Sequence, residues 1–336
     1  MREPGELFED LLEGNILMND EREKENNSRE FSPGEQAAPK ITSPSVLREM
    51  LHERGLQPRR ALGQHFLVDE NILEKILQAA ALTPQDLVID IGAGPGALSL
   101  VLAKRVAVVV AIEQDRGLAA FLREQAQLRG LANINVIEGD VRRLDLKTLF
   151  YGTDAINGTG NSGSAITQKG VKVVANLPYY LTTPLLFQLL QSSRRPELLI
   201  LMVQLEVARR MLAEPGNKDY GTLSVLCRYY CRSRLLFKVS RHVFYPQPAV
   251  DSAVVLLETL PCPAVSVPDE RFFWAVVRAA FQKRRKTILN AMEGVGQMGR
   301  EEWEDILAQA AIDPRRRGET LSLSEFAKLG EIFYNK

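Results

Sequence analysis

At 336 residues, with 45% hydrophobic and 25% charged side chains, the chain has the composition of a globular protein long enough for two domains. Its 42 acidic and 42 basic residues cancel, but residues 1–40 hold eleven Asp/Glu against five Lys/Arg, a net −6 that leaves +6 elsewhere and permits a polyanionic partner. Three cysteines without a nearby His pair indicate neither a disulfide framework nor a zinc site, and no signal peptide or bilayer-length apolar run is present, so a non-exported cytoplasmic protein without metal or membrane partner is expected.

Residues 1–44 are rich in Glu, Asn, Ser and Pro and read as a disordered acidic leader. Ser45 can cap a helix that Gly55 stops. Arg59 and Arg60 then offer two cations, either for phosphates or as solvated surface, and the lone His65 reads as structural. Asp69 caps a helix running to about Ala81.

Leu87–Ile91 is an apolar strand, followed by Gly92-Ala-Gly94-Pro-Gly96-Ala97 and a helix from Leu98 to Lys104. Glycines at a strand-to-helix turn let the backbone approach a nucleotide, and Glu113, at the end of the strand Val106–Ile112, is placed to hold a ribose. A dehydrogenase and a methyltransferase share these features. After a helix over residues 116–129, a third strand from Ile134 ends near Asp140, an acceptor for an adenine amine, which favours an adenosyl cofactor without pyrophosphate. Residues 152–170, rich in Gly, Ser and Asn, read as a flexible insertion.

Val171–Ala175 is a buried strand that must leave the sheet at Asn176-Leu177-Pro178-Tyr179-Tyr180, because Pro178 cannot donate to a ladder. The Asn176 side chain and the Leu177 carbonyl supply two acceptors and Tyr179 a flat π-face, which suit a planar base bearing an exocyclic amine. A helix capped by Thr182 or Thr183 extends to about Ser192. A strand follows over 198–204, then helices over 206–213 and 222–230, with Cys227 and Cys231 as helix packing residues. Two closing strands are joined by the proline loop from Val243 to Pro248, whose Phe244 is either a second face for the base or core packing. Pro261-Cys262-Pro263 divides residues 45–261 from a helical segment, 262–336. Its amphipathic helix from Phe272 to about Met292 carries Lys283, Arg284, Arg285 and Lys286, a charge cluster suited to nucleic-acid phosphates, and a capped helix over residues 324–333 closes the chain.

Seven blocks in order resemble the ribosomal RNA adenine dimethyltransferases that modify two adjacent adenines of the small subunit. They are Gly63-Gln-His-Phe-Leu67, Asp90-Ile-Gly-Ala-Gly-Pro-Gly96, Glu113, Glu138-Gly-Asp140, Asn176–Tyr180, Phe244–Ser252 and Phe281–Lys286, within a similarity covering residues 46–333. The resemblance implies an α/β, Rossmann-like domain at 45–261 and a small helical RNA-binding domain at 262–336. It implies S-adenosylmethionine held by His65, Leu67, Gly92, Glu113, Asp140 and Asn176, with His65 standing where the family often has Asn. Asn176, Leu177, Pro178, Tyr179 and Phe244 would form the catalytic set, and Arg59, Arg60 and Lys283 to Lys286 would contact RNA. The expected protein is a monomer acting on small-subunit ribosomal RNA or its precursor particle. A large-subunit methyltransferase conferring antibiotic resistance and a non-catalytic assembly factor are the alternatives, and an oxidoreductase leaves Asn176–Tyr180 unexplained.

Overall fold

The structure, a computed structural model, describes residues 39–59, 62–144, 170–283 and 285–336. The acidic leader up to residue 38, the insertion up to residue 169, and Arg60 and Arg284 lie outside the described residues. Helix α1 (Pro44–Glu53) starts with Ser43 in the N-cap position, earlier than the sequence suggests, because Pro44 suits the first helical turn. Strand β1 (Phe66–Leu67) leads into α2 (Glu70–Ala79), where the Asp69 carboxylate accepts from the Ile72 N–H at 3.0 Å.

Strand β2 (Leu87–Ile91), helix α3 (Ala97–Leu102), strand β3 (Val108–Glu113), helix α4 (Arg116–Leu128) and strand β4 (Ile134–Glu138) follow in alternation. After residue 169 come β5 (Val171–Asn176), α5 (Thr182–Leu190), β6 (Leu198–Gln204), α6 (Leu205–Leu212) and α7 (Thr222–Tyr230). Helix α5 is not capped by a threonine hydroxyl: Leu181 takes the N-cap position and the buried Thr182 hydroxyl has no partner among the described residues. Strand β7 (Cys231–Val239) begins at the second cysteine, which therefore belongs to the sheet and not to the helix carrying Cys227.

Strand β8 (Phe244–Tyr245) pairs antiparallel with β1, and β9 (Ser252–Thr259) returns into the main sheet. That sheet has the order β4-β3-β2-β5-β6-β9-β7. Its first five strands are parallel, and β9 runs antiparallel between β6 and β7. Together with the alternating helices this is the Rossmann-like architecture. The chain proceeds outward from β2 through β3 to β4, then returns to place β5 on the other side of β2. The carboxyl ends of β2 and β5 therefore diverge at a topological switch point, where such sheets open a crevice.

Alternation along the central strands supplies both faces with apolar side chains. Val88, Val109, Val174 and Ile200 pack towards α1 to α4, whereas Ile89, Val110, Val173 and Leu201 face the opposite layer. Lys172 interrupts the apolar run of β5, and its buried Nζ donates to the carbonyls of Ala80 and Ala81 and to Asp86, at 3.2, 2.6 and 2.9 Å. Three acceptors make that buried charge tolerable.

The last elements are α8 (Glu270–Gln282), α9 (Ile288–Met292), α10 (Arg300–Gln309) and α11 (Leu323–Tyr334). The single helix anticipated over 272–292 is thus broken, and Lys283, Arg285 and Lys286 occupy the exposed turn between α8 and α9. Thr287 caps α9, and the Ile288 and Leu289 N–H groups donate to the carbonyls of Arg316 and Pro314, which satisfies the new helix start from outside. The closing helix starts at Leu323 under a Ser322/Glu325 capping box. Trp274 and Phe273 of α8 pack with Tyr229 and Tyr230 of α7, and both tyrosine hydroxyls donate to Glu270. A continuous apolar cluster runs from one face of the sheet into these helices.

Candidate active site

The carboxyl ends of β2, β3 and β5 surround an open cleft. Its floor is the turn after β2, where Gly92, Gly94 and Gly96 have φ of 74°, 55° and 95°. A side chain at Gly92 would bring Cβ to 2.6 Å from Pro178 Cδ, so the glycine turn and the Asn-Leu-Pro-Tyr segment are packed backbone to ring. The Gly92 N–H donates to the Ile112 carbonyl at 2.8 Å, which ties the turn to β3.

Two acids lie at this floor. Glu113 accepts from the Gly94 N–H through Oε2 and from the Asp115 N–H through Oε1, each at 2.8 Å. Burial raises its carboxyl above the usual range, with these backbone donors opposing the shift. Asp90 is 1% exposed and accepts from the Ser99 hydroxyl at 2.6 Å. Burial pushes it up to about 7, the Ser99 hydrogen bond opposes this, and the neighbouring Glu113 charge adds to it. Such a pair favours a ligand that brings positive charge and hydroxyl donors.

At the end of β5, the Asn176 Nδ2 donates to the His65 carbonyl at 3.0 Å, which sets the amide orientation and leaves Oδ1 as the remaining acceptor. The Leu177 N–H is bound by the Met202 carbonyl, and the Leu181 N–H closes a turn on the Pro178 carbonyl. Tyr179 is held at both ends. Its hydroxyl meets the Ser252 Oγ at 3.1 Å, and its ring lies 5.6 Å from that of His65. The His65 Nδ1–H in turn donates to the Pro246 carbonyl at 2.7 Å.

His65, Leu67, Gly92, Glu113, Asn176, Leu177, Pro178 and Tyr179 all line this cleft. Asp140 does not: its neighbours Gly139 and Val141 do, while its own carboxylate is taken by Arg142 through Nε at 3.0 and 3.1 Å and a terminal nitrogen at 2.6 Å. That guanidinium holds the Asp140 carboxyl below the usual range. Phe244 is also absent from the lining, being 4% exposed and paired in register with Leu67, so its ring packs in the core here and does not offer a face. Arg59 stands at the edge of a neighbouring hollow with Nε 3.2 Å from Asp115. Lys283, Arg285 and Lys286 are exposed.

Several lining residues carried no individual role in the sequence. Asp90 could have been singled out as the one charge in a strand whose every residue is buried. Gln64 lines the cleft with its Oε1 bound by the Arg59 N–H at 2.6 Å, but its buried Nε2 has no partner among the described residues. Gln114 and Tyr180 join the cleft through contacts between separate loops, which no local pattern announces. Among the described residues no group of three or more His, Cys, Asp or Glu is placed to hold a metal, and no helix is long and apolar enough to cross a membrane.

The family model described as ribosomal RNA adenine dimethylase matches residues 55–329. A ribosomal RNA small subunit methyltransferase A from Pelotomaculum thermopropionicum is 50% identical over 296 residues, 87% of this chain and 97% of the relative. One of the same description from Moorella thermoacetica is 50% identical over 289 residues, 86% and 97% of the two chains. Among solved structures, a dimethyladenosine transferase from Plasmodium falciparum superposes with a TM-score of 0.64 at 25% identity, covering 79% of this chain and 96% of that one. The 23S rRNA methyltransferase ErmE gives 0.55 at 24% identity over 80% and 98%, a likeness of fold.

Proposed function

Because this chain belongs to the ribosomal RNA adenine dimethylase family, we propose that it uses S-adenosylmethionine to dimethylate the exocyclic amines of two adjacent adenines near the 3' end of small-subunit ribosomal RNA. The work belongs to small-subunit biogenesis in the cytoplasm, on the RNA or its precursor particle. The observation that carries this reading is the Asn176 amide, turned by the His65 carbonyl so that Oδ1 is the acceptor beside the proline-led Leu177 carbonyl and the Tyr179 ring.

The cleft suits S-adenosylmethionine on three counts. The glycine turn lays bare backbone along the cleft and is held there by close packing, since a Cβ would meet Pro178 at 2.6 Å over Gly92 and Phe66 at 3.0 Å over Gly94. The Gln64 Nε2, without a partner among the described residues, is a donor whose burial costs about 1–3 kcal/mol unless an acceptor meets it. Buried Asp90 and Glu113 complement a cation that carries ribose hydroxyls. His65, Leu67, Gly92, Glu113 and Asn176 would hold it, with Glu113 at the ribose; Asp140, outside the lining but next to Gly139 and Val141, would meet the adenine amine at the cleft's edge with Arg142 already on its carboxylate. When bound, it supplies a methyl group on a positive sulfonium, an electrophile for an amine.

The chain's own contribution is placement. An adenine exocyclic nitrogen is a weak nucleophile because its lone pair is delocalised into the ring. Accepting both of its hydrogens at Asn176 Oδ1 and the Leu177 carbonyl favours a pyramidal nitrogen, and Tyr179 stacks on the ring to fix its approach. Tyr179 can do so with little loss of entropy, since Ser252 and His65 already hold it. Arg59, Arg60 and the turn from Lys283 to Lys286 would meet RNA phosphates, with residues 262–336 as the RNA-binding part.

The test is methyl transfer from labelled S-adenosylmethionine to unmethylated small ribosomal subunits, followed by nucleoside analysis. Dimethyladenosine at two adjacent positions is expected. Label found only in large-subunit RNA, or particle binding without transfer, would overturn the proposal.

A further inference from the structure

Tyr180 is 41% exposed, yet its hydroxyl donates to Gln114 Oε1 at 3.0 Å. Tyr180 follows β5 and Gln114 follows β3, and in the sheet these two strands flank β2. With strands about 4.8 Å apart, their meeting spans two strand spacings and must cross above the carboxyl end of β2, over the glycine turn. Arg142, in the loop after β4, lies 5.8 Å from the Tyr180 ring centroid while the same guanidinium grips Asp140. Segments following β3, β4 and β5 are thus linked side chain to side chain over one cleft, which Tyr180 and Gln114 line.

We propose that Arg142, Tyr180 and Gln114 form a bar across the mouth of the cleft that retains the bound adenosyl cofactor and its demethylated product, a reading that rests on the cleft being the S-adenosylmethionine site. The bar has two breakable joints, a neutral hydrogen bond and a cation over a ring. Each is weak at an exposed position. Together they are strong enough to slow exchange and weak enough to open on every turnover. Arg142 also ties the bar to Asp140, because it holds both oxygens of that carboxylate, an acceptor for an amine. Adenine entry would then bring a second donor to a carboxylate already oriented by the bar. None of these contacts supports the apolar core, so the side chains can be altered without loss of fold.

The experiment is a chase of labelled S-adenosylhomocysteine from the full chain by excess unlabelled compound. Arg142→Ala and Tyr180→Phe are each expected to release the label about threefold to tenfold faster than the unaltered protein. The double variant should be no more than slightly faster than the faster single one, since breaking either joint opens the same bar. Dissociation rates unchanged in both single variants would overturn the proposal, as would a double variant whose acceleration is the product of the two. Failure of the unaltered protein to bind S-adenosylhomocysteine would instead overturn the cofactor reading and the bar with it.

Discussion

Asn176 acts through orientation, and its substitutions separate orientation from mere presence. Asn176→Ala removes both the Oδ1 acceptor and the bond to the His65 carbonyl, so turnover should fall at least about a hundredfold in single-turnover methyl transfer while stability drops by about 1 kcal/mol. Near-normal turnover in that variant would refute the proposed placement of the amine. Asp90 makes a second residue-scale prediction through pH. With its carboxyl raised from 3.8 to about 7, the native state keeps a proton that the unfolded chain loses between those values. Stability from this group is therefore greatest below about pH 4 and falls as pH rises through 7, by a total on the order of 4 kcal/mol. Asp90→Asn lacks this penalty, so its Tm relative to the unaltered chain should climb between pH 5 and 8. A difference in Tm that stays flat over that range would show that Asp90 is not held protonated. Asp90 was visible as a charge in a buried strand, but its pairing with Ser99 and Glu113 required the packed sheet.

The turn between β2 and α3 works as one element with the end of β5. Gly92→Ala should strain a backbone at φ 74° and push Cβ into Pro178, displacing the Leu177 carbonyl. We expect a loss of stability of at least about 1–2 kcal/mol and a severalfold weaker Kd for S-adenosylhomocysteine by calorimetry. Gly130→Ala is the control, since Gly130 has φ 63° with nothing within 4 Å of an added Cβ, and it should lose stability without losing affinity. An equal loss of affinity in both would mean that the Pro178 contact does not matter. The glycine turn was legible because glycines between an apolar strand and an apolar helix leave few other readings. The break between α8 and α9 was not legible. Lys and Arg are good helix formers, so residues 283–286 continue a helical pattern locally. The chain turns there because carbonyls of Pro314 and Arg316 meet the N–H groups of Ile288 and Leu289, and because Ala280 packs closely on Gly318.

Across the whole molecule, the exposed basic turn is the feature that should govern RNA affinity. Changing Lys283, Arg285 and Lys286 to Ala should weaken binding to small-subunit RNA and reduce the slope of log affinity against log salt, by roughly 0.7–0.9 for each phosphate that is no longer neutralised. An unchanged slope in a filter-binding titration would remove this turn from the interface. The same helices are joined to the sheet by apolar packing, with Trp274 and Phe273 against Tyr229 and Tyr230, so the turn is carried on a rigid support. By itself the sequence determined the alternating strands and helices, the glycine turn, the acid ending β3 and the Asn-Leu-Pro-Tyr segment, because each is set by periodicity or by residues with few conformational options. Only the tertiary structure decided that Phe244 packs beside Leu67, that Arg142 takes the Asp140 carboxylate, and that Tyr180 reaches Gln114 over the glycine turn. Those contacts join loops distant in sequence, and such partners are chosen by the order of strands in the sheet, which no local pattern encodes.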